Sequence, residues 1–393
     1  MVAIVRVSPA RPAVIVIGGQ ASAVSVARAL ARHGVVVHAL NRPAAPIRWS
    51  HRSRWIALGA DAEPEDWLDF LLGARARGLH GAVLLACSDE AVAMIAAHDK
   101  ALSALYRLEE GDPALRDGLL DPLIVERLAV RALVPTPAMW SVGSIAEIHQ
   151  QLGALRFPVT IQPRDPTQAE RLGVHRQRVD DMHELMTAVR EVLYDDVPFV
   201  IVEQVDDRPT PTSGYHAYLD EQGQPLFEFT TIQPRLDPRH GGAATCHLAG
   251  WLPDTATLGR QLFQSIGLRG LCHAEFQRDR RDGRLRLIAC HARFTSANAL
   301  LVSCGIDAAL LTYRRLTGAP LPAFGPARWD QRLLFPYEDF AAFRRLRRGG
   351  QPPWSDWWHA LRSADCLPYF AWTDPGPSLA VAATRLAGRI SPE

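Results

Sequence analysis

At 393 residues the chain exceeds what one hydrophobic core usually organises, so two or three domains sharing clefts are expected. Its 43 Lys plus Arg against 42 Asp plus Glu exclude the global field on which a nucleic-acid or anionic-membrane binder relies, and point to small, neutral or locally charged ligands. No apolar run approaches the roughly 20 residues needed to span a bilayer, and the 48% hydrophobic content suits ordinary globular cores.

The six cysteines, Cys87, Cys246, Cys272, Cys290, Cys304 and Cys366, are far apart and form no CxxC pair. With no charged-then-apolar leader at the N-terminus, a reducing cytoplasm is the expected setting. Lys100 is the only lysine, so chemistry that requires a lysine has one candidate.

In chain order, "PAVIVIGGQASAVSVARALARHGVVVHALN" reads strand, glycine turn, amphipathic helix, strand, a βαβ unit with a parallel pair. Its turn, Gly18-Gly19-Gln20-Ala21-Ser22, lacks the G-x-G-x-x-G spacing of a dinucleotide site. A further strand, Gly81–Cys87, ends in Ser88-Asp89-Glu90 and a helix. Ligands in open α/β sheets bind beyond the carboxyl ends of strands, so Gly19, Ser88 and Asp89 are candidate substrate contacts. Ser88 is equally readable as a helix cap, with Asp89 and Glu90 favoured by the first-turn dipole.

A helical stretch is expected from Leu115 to Leu133, closed by the two prolines of "VPTPAMW". Strands follow at Phe157–Asp165 and Val197–Asp207 with a helix between them. A hairpin turns about Glu221–Gly223, and a second, "GLCHAEFQRDRRDGRLRLIACHARF", turns at Asp282-Gly283. "GIDAALLTYRRLTG" is an amphipathic helix ended by Gly318. The basic run Phe343–Gly350 and the tryptophans of "PPWSDWWHAL" read as a helix face and an oligomer contact or cleft cover, rather than a nucleic-acid surface.

The "VIGG" start, the Ser53-Arg54 pair, "CSDE", "FPVTIQPR", "VIVEQV", "GLCHAEFQRDRRDGR", "LIACHARF" and "CGIDAALLTYRRLTG" occur in an order that resembles the ATP-grasp superfamily, in its carboxylate–amine ligase-like branch. "AWTDPGPSL" resembles the Asp-Pro ending of that branch. The resemblance implies an ATP-grasp fold of α/β and α+β class, with a Rossmann-like N-terminal domain at 1–118. A small subdomain at 119–206, a large subdomain at 207–325 and a helical C-terminal extension at 326–393 complete it. It also implies ATP and Mg²⁺ in a cleft between the subdomains, where a carboxylate becomes an acyl phosphate attacked by an amine or thiol.

Residue by residue, the resemblance puts the adenine edge on Glu203, Gln204 and Val205. The family's phosphate lysine falls on Gln162, which donates a hydrogen bond but carries no charge. A second falls on Gln233 and a third on Pro122. Arg164 and Arg235 stand nearby as candidate phosphate cations. The phosphate loop 164–176 has Gly173 alone, where close backbone approach calls for several glycines. Glu275 matches the first carboxylate metal ligand, whereas Ala289 and His291 replace the second carboxylate and the asparagine. Glu275 with His291 is therefore a poor oxygen set for Mg²⁺. Arg293 matches the arginine that meets transferred phosphate or substrate carboxylate, with Asn298 in the turn after it. An internal Glu275–Arg293 ion pair is the structural counter-reading.

Three functions follow. The first is a nucleotide- or small-ligand-binding protein with impaired ligase chemistry, acting on a small carboxylate ligand or beside a partner protein or second copy of itself. The second is an active ATP-dependent carboxylate–amine or thiol ligase, with Glu275 and Arg293 catalytic. In the third, strand alternation puts His273 and Glu275 on one face and His291 on the same face of the next strand, a 2-His-1-carboxylate set for zinc or iron. Loss of the lysine, the carboxylate and the glycine loop together favours the first.

Overall fold

The computed structural model describes residues 11–142, 155–165, 177–194, 198–205, 210–237, 243–348 and 353–386. Residues 166–176, with Gly173 and most of the expected phosphate loop, lie outside these. So do Gly349 and Gly350 at the end of the basic run.

Strand β1 (Val14–Ile17) is buried throughout and pairs in parallel with β2 (Val37–Leu40) and β4 (Val83–Ala86). With β3 (Arg54–Trp55) at the edge, the sheet order is β3-β2-β1-β4. A parallel sheet is covered on both faces, which is why β1 is uniformly apolar. Helix α1 (Ala21–Ala31) packs with β1 and β2.

Gly18 and Gly19 have positive φ, 66° and 75°. A Cβ on Gly18 would lie 2.1 Å from Ser88 Oγ, and one on Gly19 2.3 Å from the Cys87 carbonyl. The paired glycines are required because the ends of β1 and β4 approach too closely for side chains. After α2 (Pro64–Leu72) and α3 (Asp89–Ala97), Lys100 sits exposed on the short α4 (Asp99–Ser103).

The expected helix over 115–133 is two helices, α5 (Pro113–Gly118) and α6 (Pro122–Arg131). Each opens on an aspartate that accepts a backbone N–H, Asp112 from Ala114 and Asp121 from Leu123, with a proline in the first turn. Proline fits a first turn but cannot continue a preceding helix, so Asp121-Pro122 stops one and starts the next.

A four-stranded antiparallel sheet follows, in order β5-β8-β6-β7. It consists of β5 (Met139–Val142), β6 (Val159–Pro163), β7 (Gln177–Val179) and β8 (Phe199–Glu203), with α7 (Met182–Tyr194) between β7 and β8. Val159, Ile161, Leu185, Val189 and Phe199 form its own small core.

The largest sheet has six antiparallel strands, β9 (Thr212–Leu219), β10 (Pro225–Asp237), β11 (Ala243–Ala249), β12 (Gly270–Arg278), β13 (Leu285–His291) and β14 (Arg332–Leu334). Their order is β13-β12-β9-β10-β11-β14, and both expected hairpins form. Among the described residues after 325 the regular elements are helices apart from β14, which completes this sheet. One face buries Tyr215 and Phe276 beneath α8 (Pro253–Ser265). The other buries Tyr218 and Phe229 with Phe294, next to α9 (Asn298–Ser303), α10 (Ala308–Thr317) and the first sheet's core.

The chain ends in α11 (Pro336–Arg348), α12 (Trp354–Arg362) and α13 (Gly376–Leu386). Asp374, fully buried, fastens this region back onto α1 and the 50–51 turn. It accepts from Arg28 Nε at 2.8 Å, Ser50 Oγ at 2.8 Å and the His51 amide at 3.2 Å. Arg28 also donates to the carbonyls of Tyr369 and Asp374. Asp374→Asn keeps the shape but loses the charge that Arg28 faces, and is expected to cost about 1–2 kcal/mol. Urea denaturation with limited proteolysis of the C-terminal segment checks this, and unchanged midpoint and cleavage would refute the anchoring role. Among the described residues, no helix is long and apolar enough to cross a membrane.

Candidate functional site

The β12–β13 hairpin brings the sequence-identified positions together in register. Glu275 stands directly across from Ala289, and His273 directly across from His291. Alternation places these four side chains on one face, and the position across from Glu275 that would complete a carboxylate pair carries only a methyl group.

Glu275 is held by Gln233, whose Nε2 donates to Glu275 Oε1 at 3.2 Å, while His273 Nε2 lies 3.7 Å from the same oxygen. Gln233 is fully buried and also accepts from Thr212 Oγ1. A residue so committed supports Glu275 and cannot reach out to a phosphate.

The structural counter-reading, a Glu275–Arg293 ion pair, does not hold, because Arg293 pairs with another carboxylate. Arg293 instead forms a two-pronged pair with Asp89, Nε to Oδ1 at 2.6 Å and Nη2 to Oδ2 at 3.0 Å. His291 Nδ1 lies 3.7 Å from Asp89 Oδ1. Burial pushes the Asp89 carboxyl up, but the Arg293 guanidinium and His291 outweigh it and hold the carboxyl well below the usual range. Asp89 opens α3 at the rim of the parallel sheet, so this pair joins that rim to the end of β13. The local sequence showed each partner but not the pairing.

The other rim residues have structural partners. Ser88 caps α3, its Oγ accepting the Ala91 N–H at 3.3 Å. The Gly19 carbonyl accepts from Asn41 Nδ2 at 2.6 Å. Asn298, buried at the start of α9, donates to Ser25 Oγ on α1 at 3.0 Å, and its Oδ1 has no partner among the described residues.

Both candidate phosphate cations are engaged. Arg164 Nε donates to Asp121 Oδ2 at 2.8 Å. Arg235 forms a two-pronged pair with the fully buried Asp339, at 2.6 and 2.9 Å. Register shifts on both sides of Arg235 interrupt the β10–β11 ladder, as a bulge does where it re-aims a side chain. Gln162 sits on β6 half-buried, and Pro122 is the proline that opens α6.

The end of β8 and the two residues after it, Glu203-Gln204-Val205, lie against neighbouring strands and turns. The N–H of Glu203 bonds the Ala138 carbonyl at 2.9 Å and that of Gln204 bonds the Pro158 carbonyl at 3.1 Å. Val205 is buried, and its N–H has no backbone partner among the described residues. The Glu203 carboxylate is taken by Arg281, which also binds Asp279 at 2.7 Å.

Sequence reasoning missed a histidine ladder. His216 on β9 is paired with His273 on β12, which is paired with His291 on β13. The His216 and His273 rings stack 4.2 Å apart with 16° between their planes; His273 and His291 lie 5.7 Å apart at 14°. His273 Nε2 lies 3.7 Å from Glu275 Oε1 whereas His291 Nδ1 lies 3.7 Å from Asp89 Oδ1, so the two rings turn to different carboxylates. That geometry corrects the 2-His-1-carboxylate reading. Among the described residues, no group of three or more His, Cys, Asp or Glu is placed to hold a metal ion.

His247 on β11 is buried beyond the ladder. Burial pushes the His216 imidazole down to about 3 and that of His247 to about 4, and holds His273 well below its ordinary value. Neither ring nitrogen of His273 or His247 has a hydrogen-bond partner among the described residues. The legible signal was a histidine at an inward position on each of two strands with a third in the "GYHAYL" strand. What was missing was that these strands are neighbours.

No family model and no curated protein matches the sequence. Solved structures do. An L-amino acid ligase from Bacillus licheniformis matches at 17% identity and TM-score 0.58, over 78% of this chain and 74% of that one. A carboxyaminoimidazole ribonucleotide synthase from Aspergillus clavatus, solved with ATP, matches at 13% identity and TM-score 0.64, over 83% and 82%. An N5-carboxyaminoimidazole synthetase from Staphylococcus aureus, solved with ADP, matches at 14% and 0.63, over 86% of each. The chain has the ATP-grasp fold. On this ATP-grasp scaffold the residues present do not fit a pair of Mg²⁺ ions. Of the oxygen ligands the sequence marks out, Glu275 is the one carboxylate, and one of its oxygens is already bonded to Gln233.

Proposed function

We propose that this chain binds a nucleotide or a nucleotide-like small ligand in the cleft between the subdomain sheets, with the base end at Glu203-Gln204-Val205, and that acyl-phosphate chemistry is impaired. One observation carries the reading: the Val205 N–H has no backbone partner among the described residues, while the residues that would serve the phosphates are neutral or already paired. Phosphoryl transfer depends on charge concentrated at the transferring group. Here Gln162 and Ala289 supply none, and Lys100 is exposed on α4. Neighbours of the same fold solved with ATP and with ADP support a nucleotide as the ligand class. In this reading the chain divides into the Rossmann-like part at 1–118, the subdomains at 119–206 and 207–325, and the extension at 326–393. Gly19, Ser88, Asp89 and Asn298 face the acceptor end of the ligand and Arg293 stands between.

Calorimetric titration of ATP and ADP with and without Mg²⁺ tests the reading. Weak binding, with a Kd of about 0.1–1 mM, unchanged by Mg²⁺ and without ADP release in the presence of amino acids, is expected. Val205→Pro removes that N–H and is expected to abolish binding. Mg²⁺-dependent binding with ADP release on adding a carboxylic acid and an amine would overturn the impaired reading in favour of an active ligase. No binding of either nucleotide would overturn the ligand class.

A further inference from the structure

A cavity among the described residues is on the back of the six-stranded sheet, away from the cleft. It measures about 630 Å³, within the range of small-molecule sites. Its floor is Pro234, Cys246, Leu248 and Arg332 on β10, β11 and β14, and its roof is α12. Pro234, Cys246 and Leu248 alternate with Gln233 and His247, which lie on the face that carries Glu275 and the histidines. A ligand in this cavity is therefore separated from the cleft by the thickness of the sheet.

The lining is specific in charge. Arg332 donates through Nη1 to Ser363 Oγ, while its Nε is buried with no hydrogen-bond partner among the described residues. Arg362, exposed on α12, has no hydrogen bond or ion pair among the described residues. Arg235 also lines the cavity, but Asp339 neutralises it. Asp356, accepting a hydrogen bond from Ser355 Oγ at 3.4 Å, is the opposing charge. Two available guanidinium groups against one carboxylate leave a surplus of one positive charge.

The lining is also specific in shape. Trp358, 51% exposed, stands at the wall, beside the apolar floor of Cys246 and Leu248. An exposed tryptophan next to an apolar floor suits a flat ring, and an arginine fork suits a carboxylate.

We propose that this cavity is a binding site for a small monoanion, a carboxylate carrying a flat apolar group. The carboxylate lies against Arg332 and Arg362, and the ring against Trp358 and the strand floor. The site does not depend on the cleft reading, and either can fail alone.

Benzoate is the probe, followed by calorimetry on the full chain. A Kd of about 0.1–1 mM is expected, unchanged when ATP is present. Arg362→Ala and Trp358→Ala change exposed side chains, so both variants should fold as the parent does, shown by equal thermal midpoints. Each is expected to weaken benzoate about tenfold. Benzyl alcohol, which keeps the ring without the charge, is expected to bind at least tenfold more weakly, and so is inorganic phosphate, which keeps charge without the ring. Four results would overturn the proposal: no benzoate heat at about 10 mM, affinity indifferent to both variants, benzyl alcohol or phosphate binding as tightly as benzoate, or displacement of benzoate by ATP.

Discussion

Lowering the pH from 7.5 to 5 is expected to destabilise this protein by about 4 kcal/mol or more, through the buried histidines of the large sheet. An unfolded chain takes up protons on its histidines below about pH 6.5. Folded His216 and His247 resist until about 3 and about 4, and His273 is shifted in the same direction, in every case chiefly by burial. Over that window the unfolded state binds more protons, so stability falls as pH falls, by about 2 kcal/mol per histidine at pH 5. The full stability is present above about pH 6.5 and is lost progressively towards pH 4. Charges facing the ladder act in the same sense, since Arg293 and the neighbouring imidazoles also disfavour a proton on His273.

Urea denaturation followed by tryptophan fluorescence measures this directly. Carboxylates also titrate towards acid, so a variant isolates the histidine share. In His247→Leu no hydrogen bond from the ring to a described residue is lost, because neither ring nitrogen has such a partner. Stability at pH 7.5 should be unchanged or higher, and the loss on going to pH 5 should shrink by about 2 kcal/mol. A variant with the parent's full pH dependence would show that His247 is not the buried neutral group described.

Arg293→Met is expected to cost about 3 kcal/mol, because it strands the Asp89 carboxylate in a partly buried place. Asp89 and Arg293 expose 22% and 18% of their side chains, so the loss falls at the lower end of what breaking an enclosed pair costs. Adding Asp89→Asn removes the stranded charge and should recover most of the loss, giving a coupling energy of about 2 kcal/mol in a double-mutant cycle. Additive losses would mean that the two side chains do not act as a pair. This bears on function as well as stability. An arginine paired with the chain's own carboxylate is neutralised before any acidic substrate arrives, which fits the proposed ligand-binding reading better than the ligase one.

The opening βαβ unit and the two hairpins of the large sheet were legible because they depend on short-range pattern. Alternation set the face shared by His273 and Glu275, and by Ala289 and His291, and the β12–β13 register then made them cross-strand partners. The Gly18-Gly19 turn was legible as a turn. That it exists to let Ser88 and Cys87 pack against it was not, since those residues are about 70 positions away. The 115–133 helix was read too long because periodicity outweighed Asp121-Pro122, a start signal inside an apolar pattern.

What the sequence by itself determined is the opening βαβ unit, the two hairpins of the large sheet and the face that His273, Glu275, Ala289 and His291 share. Those features follow from periods of 2 and 3.6 residues and from side-chain chemistry at single positions. What only the tertiary structure decided is which partner each charge takes: Asp121 for Arg164, Asp339 for Arg235 and Asp89 for Arg293. It also decided that His216 stacks on His273, and that α12 roofs an arginine-lined cavity behind the sheet. The physical reason is that a guanidinium binds any carboxylate within reach, so chain topology and not local pattern selects the partner.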